Sequence, residues 1–375
     1  MPRTVWAICV AAAVLSGLLG QSLASNTVVV GPSTCKSTLK HYSNIQTAVS
    51  SVPWGTIVMV CPGSYPEQVI INQPLTLEGV TDGTGNAAVI TVPGGAGLVQ
   101  NGTSASFGPV TVQLLVQNTV GVIIKNLVVD GNGGNCPGGS NRNTGIGVFN
   151  VGSANDGTTA ATIEDVVVRN DMTCFGDGIL ADTSYATITG SEIHDVNQTA
   201  IDAYNGKYSI TNNSIQRDTA YGIVLVDNAN GSVVSGNNVS EGWSGILSSG
   251  PNVGAIITKN TVLNNFYVGV WTFLATNQTV TFNVVTNARW PLVVEEGSNN
   301  TVQNNKLNDA IFDGILDEFS FGGNNITKNT VNEALFGIFA DGSTGGDTLV
   351  PNTFYNTVNT IDPGPVQGPA DPVQP

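Results

Sequence analysis

Two consecutive stretches decide the fold: Asn237-Asn-Val-Ser-Glu-Gly-Trp-Ser-Gly245-Ile-Leu and Asn260-Thr-Val-Leu-Asn-Asn-Phe-Tyr-Val-Gly269-Val-Trp. Each opens on Asn-x-Val and then reaches a small residue followed by an aliphatic one. The opening triplet, with Val, Ile, Leu or Phe in third place, recurs at Asn213, Asn237, Asn260, Asn283, Asn305, Asn329 and Asn352, at steps of 24, 23, 23, 22, 24 and 23 residues. The second mark keeps phase with it at Gly178-Ile179, Ala200-Ile201, Gly222-Ile223, Gly245-Ile246, Gly269-Val270, Gly314-Ile315 and Gly337-Ile338, with Pro291-Leu292 in the remaining slot. A unit this short cannot bury its own apolar face. The repeat therefore predicts a stack of like units, a solenoid.

Composition selects the kind of solenoid. The apolar residues come in short runs such as Tyr221-Gly-Ile-Val-Leu-Val and Ala255-Ile-Ile-Thr, punctuated by Gly, Asn, Asp and Ser. That is the pattern of strands and tight turns, with no helical period between them. A coil of three short strands and three turns needs about this many residues, and stacked coils pair at ~4.8 Å. The recurrent Asn suits a turn that requires a left-handed backbone, and stacked Asn side chains can bond to one another. Residues 110–361 are expected to form such coils, in a rod of roughly 50–60 Å.

The pattern resembles the right-handed parallel β-helix repeats of the pectate-lyase-like superfamily. The N-terminal segments Ile45-Gln46-Thr-Ala-Val, Pro62-Gly-Ser-Tyr65-Pro-Glu67 and Pro74-Leu-Thr-Leu-Glu-Gly79 resemble the opening coils of pectinesterases and related secreted proteins. The resemblance implies an all-β, single-stranded right-handed parallel β-helix, and the apolar spacing of Ile45, Ala48, Val49 and Val52 predicts a short capping helix over His41–Val52. It implies no one activity, because that superfamily hosts many chemistries and some members with none. Tyr65 and Glu67 match the Gly-x-Tyr-x-Glu turn of pectinesterases, but their Gln-Asp-Thr and Asp-Phe-Ile-Phe-Gly motifs are absent. So are the Gly-His-Gly and Arg-Ile-Lys of polygalacturonases, and the Tyr-Gly-Phe/Ile-Asp-Pro-His pattern of mannuronan epimerases shrinks to Tyr221-Gly-Ile. Tyr65 and Glu67 are accordingly expected to serve the fold.

Residues 1–24 read as a signal peptide: Arg3 supplies the positive region, Val5 to Leu19 is mostly apolar, and Ser22-Leu23-Ala24 offers a cleavage site. The expected organisation is that segment, a β-helix domain over 25–361, and a Pro-rich disordered tail over 362–375. The expected location is secreted, periplasmic or extracellular. Cys35, Cys61, Cys136 and Cys174 remain after cleavage, an even number that predicts two disulfides among three pairings. Cys35–Cys61 and Cys136–Cys174 join neighbouring coils and are preferred. The net charge is −15, with no basic patch, so nucleic acid is excluded as a partner. A polysaccharide is the expected partner, neutral or bridged by Ca²⁺ if acidic. No membrane association is expected after cleavage, and the protein is read as a monomer.

Candidate site residues follow from the alternation of strand side chains. In the strand that begins at the small residue, Ile179/Ala181, Ile201/Ala203, Ile223/Leu225 and Ile246/Ser248 face inward. Asp182, Asp202, Tyr204, Trp271, Phe273, Glu295, Glu318, Phe339 and Asp341 face outward, on the face that lines the substrate groove in the resembling families. Outward Asp202 is expected to be solvated. Asp182, Tyr204, Trp271, Trp290 and Glu295 are candidate glycan-binding residues. The densest ionisable group places Arg169, His194 and Gln216 in one column and Asn170, Asp195, Arg217 and Glu241 in the next, with Asp171, Asp177, Asp202 and Asp218 downstream. Arg169, Asp177, His194, Asp202 and Arg217 are the candidate catalytic residues, fit to move a proton at a uronate or a glycosidic oxygen. Two insertions, Gly131–Thr144 and Gly152–Ala160, enlarge the preceding coil. Two readings stand: a lyase, hydrolase or epimerase, or a non-catalytic structural or glycan-binding module in which Asp195–Arg217–Glu241 is only a charge ladder.

Overall fold

The structure, a computed structural model, describes residues 26–81, 87–95, 97–131, 142–152, 161–169, 176–342 and 346–362. Residues 1–25, on which the expected signal peptide falls, Cys136, Cys174, Asn170, Asp171, most of both insertions and residues 363–375, on which the expected tail falls, lie outside the described residues.

Each repeat is one turn of a solenoid with three short strands, as in Ile256–Thr258, Thr261–Leu263 and Val268–Phe273. Like strands stack in parallel into three columns. The first column forms a 13-stranded sheet, and the second and third are joined in a 23-stranded sheet. Thirteen strands at ~4.8 Å span roughly 58 Å. Register is strict: Ile179, Ile201, Ile223, Ile246 and Val270 pair in succession up the third column. All five are fully buried inside the coil. Branched aliphatics fit there because the interior is a continuous stack of like side chains, each filling the space above the last.

All seven repeat asparagines share one corner, between the first and second columns. Asn237 Oδ1 accepts from both the backbone N and the Nδ2 of Asn213 at 3.0 Å, and the same pair of bonds repeats from Asn237 to Asn260 and on to Asn352. The left-handed position differs from the expectation. It belongs to the residue just before the ladder, Asn212, Gly236, Lys259, Phe282, Asn304 or Lys328, all with φ near +60°. The turn needs that bend to aim the next side chain inward, so the buried asparagine itself keeps an ordinary backbone.

The small residue of the second mark also has a steric cause. A Cβ on Gly245 would stand 2.5 Å from the Gly269 carbonyl oxygen and 2.5 Å from Val262 Cγ1. At the N-terminal end, helix Ile45–Ser51 buries Ile45, Ala48 and Val49. Its first amides, Ile45 N and Gln46 N, donate to the Glu67 carboxylate at 2.8 and 2.9 Å. The Tyr65 hydroxyl donates to Cys61 O at 2.8 Å, so both motif residues hold the opening coils together. Cys35 and Cys61 are disulfide-bonded.

Candidate functional site

The outer face of the third column carries three parallel files of side chains. Asp177, Thr199 and Tyr221 run in the first, Leu180, Asp202 and Val224 in the second, and Asp182, Tyr204 and Val226 in the third. Little of this face is bare. Strand Gly108–Gln117 and the antiparallel strand Gly102–Ser104 before it bring an N-terminal hairpin over one end. Ser104 Oγ and Ser106 N donate to Asp182 at 2.5 and 2.8 Å. Asp182 thus anchors the hairpin and is not open to a ligand.

Beside it lies a buried charge group. Arg142, at the end of the first insertion, donates through Nη2 to Asp177 Oδ1 at 2.7 Å, and also bonds Asp177 Oδ2 and Asp202 Oδ2. Its guanidinium lies 4.0 Å over the Phe107 ring, which in turn meets Tyr204 edge-on at 4.9 Å. Asp202 is 1% exposed, so the expectation of a solvated outward carboxylate is corrected: the hairpin and Arg142 cover it. One cation serves two carboxyls. Burial is the main force raising the Asp202 carboxyl to about 8, the neighbouring Asp177 charge adds to it, and Arg142 and the Tyr204 hydroxyl oppose it. Burial likewise raises Asp177, against the pull of Arg142. Asp202 Oδ1 has no partner at hydrogen-bonding geometry among the described residues. As a residue, Asp202 lines a pocket of about 500 Å³ whose wall also includes Arg142, Tyr204, Tyr221, Val224 and Leu247.

From that pocket the face continues as an apolar strip. Val224, Leu247, Tyr267, Trp271, Trp290, Val293 and Leu316 form one buried cluster outside the coil, flanked by half-buried Tyr221, Trp243, Phe273 and Phe312. The indoles are fixed by carboxylates: Trp271 Nε1 donates to Glu295 Oε2 at 2.9 Å and Trp290 Nε1 to Asp313 Oδ2 at 3.1 Å. Burial raises Asp313 to about 6 despite the Trp290 bond. Aspartate 317, by contrast, points into the coil and accepts from Ser320 Oγ.

The remaining candidates gather elsewhere. Arg169, His194 and Gln216 do stack in one column, but it is the second. Arg169 Nε donates to Asp130 at 3.0 Å. His194 Nδ1 lies 2.6 Å from Asp195 Oδ2, and Arg217 Nε donates to Asp195 Oδ1 at 2.7 Å. Arg217, followed by His194, holds the Asp195 carboxyl well below the usual range. Asp195, Arg217 and Glu241 occupy the left-handed turn that ends each second-column strand, with φ of 61°, 57° and 63°. No hydrogen bond or ion pair links this group to Asp177 or Asp202 among the described residues. The single ionisable group read from the sequence is therefore three, one on the third column and two on the second, because strand ends on adjacent columns face different sides of the rod. No cluster of three His, Cys, Asp or Glu side chains suited to a metal occurs among the described residues.

The family profile described as the right handed beta helix region matches residues 144–307. The chain is a right-handed parallel β-helix. Among solved structures, this β-helix is similar to the A-module of Azotobacter vinelandii mannuronan C-5 epimerase AlgE4, with 17% identity, a TM-score of 0.52, and 86% of this chain and 93% of that one covered. It is also similar to the GH136 lacto-N-biosidase of Eubacterium ramulus, with 13% identity, a TM-score of 0.57, and 88% and 68% covered. The A-module of AlgE6 from Azotobacter vinelandii, with 13% identity and a TM-score of 0.50, covers 87% and 95%. No curated protein matches the chain in sequence. At these identities the likeness concerns the fold.

Of the candidate catalytic residues, the β-helix brings Asp177 and Asp202 together and places His194 and Arg217 in a second group and Arg169 in a third. Sequence reading missed Arg142, the residue that joins the two aspartates. Its one signal was its place at the end of an insertion, on the first residue of the third-column strand Arg142–Phe149, where a long side chain can reach across the next two coils.

Proposed function

We propose that this β-helix binds a polysaccharide along the outer face of its third column and donates a proton to it from Asp202. The observation that carries the reading is Asp202 itself: a buried carboxyl raised to about 8, with Oδ1 unpartnered, on a residue that lines a pocket beside an aromatic cluster. A carboxyl in that state is protonated at neutral pH, the form a general acid needs. Asp177 shares Arg142 and provides the compensating negative charge. Tyr204 and Tyr221 flank the acid, and rings at such positions stack on sugar faces.

The carbohydrate-acting names of the similar structures, an epimerase and a biosidase, support a glycan as the ligand. The Cys35–Cys61 disulfide fits an oxidising compartment and supports action outside the cytoplasm. Helix Ile45–Ser51, packed on the opening coils, is read as the N-terminal cap. A second reading, binding without turnover, is favoured by the cover that Arg142 and Phe107 form over Asp202.

The test is a panel of neutral and acidic polysaccharides, with and without Ca²⁺, followed by reducing ends, unsaturated-uronate absorbance and affinity electrophoresis. Wild-type protein is expected to retard on and act upon one class. Asp202→Asn should retain retardation and lose about 10²–10⁴-fold in turnover. Retardation without any turnover in the wild type selects the binding module, and absence of both ends the proposal.

A further inference from the structure

Four arginines lie among the described residues, and three hold carboxylates: Arg142 with Asp177 and Asp202, Arg169 with Asp130, and Arg217 with Asp195. Arg289 is the exception. It forms no ion pair or side-chain hydrogen bond among the described residues, and its Nε is buried without an acceptor. Its guanidinium carbon sits 4.7 Å from the Trp290 ring and 4.7 Å from the Phe312 ring, which stack on each other at 5.5 Å. Aromatic rings beside a guanidinium offer its in-plane N–H donors no acceptor, so those donors are left for a carboxylate or sulfate, which a guanidinium can take with two parallel bonds. An unneutralised cation is the more telling in a chain of net charge −15.

The site has a setting. Trp243 stacks on Tyr267 at 5.2 Å and lies 4.7 Å from Phe266, and Tyr267 meets Trp290 edge-on at 5.1 Å. The rings make a continuous track from coil to coil, ending at Arg289. The Asp202 strand and the Trp290 strand are four pairings apart in the third column. At ~4.8 Å per pairing that is about 19 Å along the rod.

We propose that Arg289, on its Trp290–Phe312 platform, is a subsite for an anionic group on the glycan, a sugar carboxylate or a sulfate ester. The substrate class is therefore an acidic glycan. This deepens the groove reading above and rests on it for the rest of the ligand.

The experiment titrates wild-type protein, Arg289→Gln and, as a paired-arginine control, Arg217→Gln by calorimetry. The ligands are glucose, glucuronate, glucose 6-sulfate, and neutral and acidic oligosaccharides long enough to span both sites. Glucuronate, the sulfate ester or both, and the matching acidic oligosaccharide, should weaken about 10- to 100-fold with Arg289→Gln, the worth of a charged hydrogen-bond pair. Neutral ligands and Arg217→Gln should show no change. The two acid arms identify which group is bound. If oligosaccharides bind but Arg289→Gln leaves acidic and neutral ones alike, the subsite is overturned and the groove stands. If the acidic monosaccharides bind through Arg289 while no oligosaccharide engages, the subsite stands and the groove falls. Failure of every ligand on wild-type protein overturns both.

Discussion

Replacing Asp202 with asparagine keeps the side chain's shape and removes one proton site, and its effect on stability has a calculable dependence on pH. In the unfolded chain this carboxyl ionises near 3.8, whereas in the folded chain it holds its proton up to about 8. Between those values the folded state binds more protons than the unfolded one. The contribution of Asp202 is therefore fully present below the unfolded value and is lost as pH rises through the folded one, at up to about 1.4 kcal/mol per pH unit. From about pH 5 to about pH 7 the loss amounts to roughly 2–3 kcal/mol in the wild type and is absent in Asp202→Asn. Asp218 and Asp313 are also raised, which adds slope of the same sign to both proteins. The difference between the two proteins therefore isolates the Asp177–Asp202 pair. In the variant Arg142 serves Asp177 alone, which lowers that carboxyl and flattens the slope further. Urea unfolding followed by circular dichroism at pH 5, 6 and 7 measures it. Parallel midpoint-against-pH curves for the two proteins, or a variant that falls faster with rising pH, would refute the assignment of a proton to Asp202.

Three other perturbations test other parts of the rod. Asn260→Ala removes an acceptor for two donors of Asn237 and a donor to Val234 O, all buried, and should cost about 3–5 kcal/mol in urea unfolding; a loss below about 1 kcal/mol would show the ladder to be dispensable. Cys35→Ser opens a link spanning 26 residues and should cost about 3–4 kcal/mol by loop-closure entropy, read as a lower melting temperature than that of the unreduced wild type. Arg217→Ala breaks a half-exposed pair with Asp195 and should change stability by at most about 1 kcal/mol; a loss of glycan binding in this variant would restore the second-column group as the site.

The register of this fold was legible because a solenoid repeats its steric demands. The same corner needs the same asparagine and the same close approach needs glycine, so residues such as Asn260 and Gly245 announce their places. The inward and outward files of the third column were legible for the same reason. The cover over that face was not. Asp182 and Asp202 alternate outward as any surface residue does, and nothing in a period of 23 residues tells that Ser104 and Phe107, from a non-repeating hairpin, fold back over them. Arg142 was hidden for a related reason: its partners lie 35 and 60 residues away, across an insertion that breaks the count. Alignment of coils likewise merged His194 with Asp202, since it gives the height of a residue along the rod and not the side from which it projects.

The asparagine ladder also gives the molecule a direction in time. Each asparagine sends its backbone N–H and one side-chain amide N–H forward to the oxygen of the next ladder residue, and its other amide N–H back to a carbonyl of the preceding coil. A coil that has just formed thus presents open donors toward the part of the chain that follows it, and only the arrival of the next Asn-x-Val closes them. Partners sit 22 to 24 residues apart all along the ladder, so each closure is a short search of the same length, however long the rod has become. A chain built this way can be assembled one coil at a time, from its first end to its last.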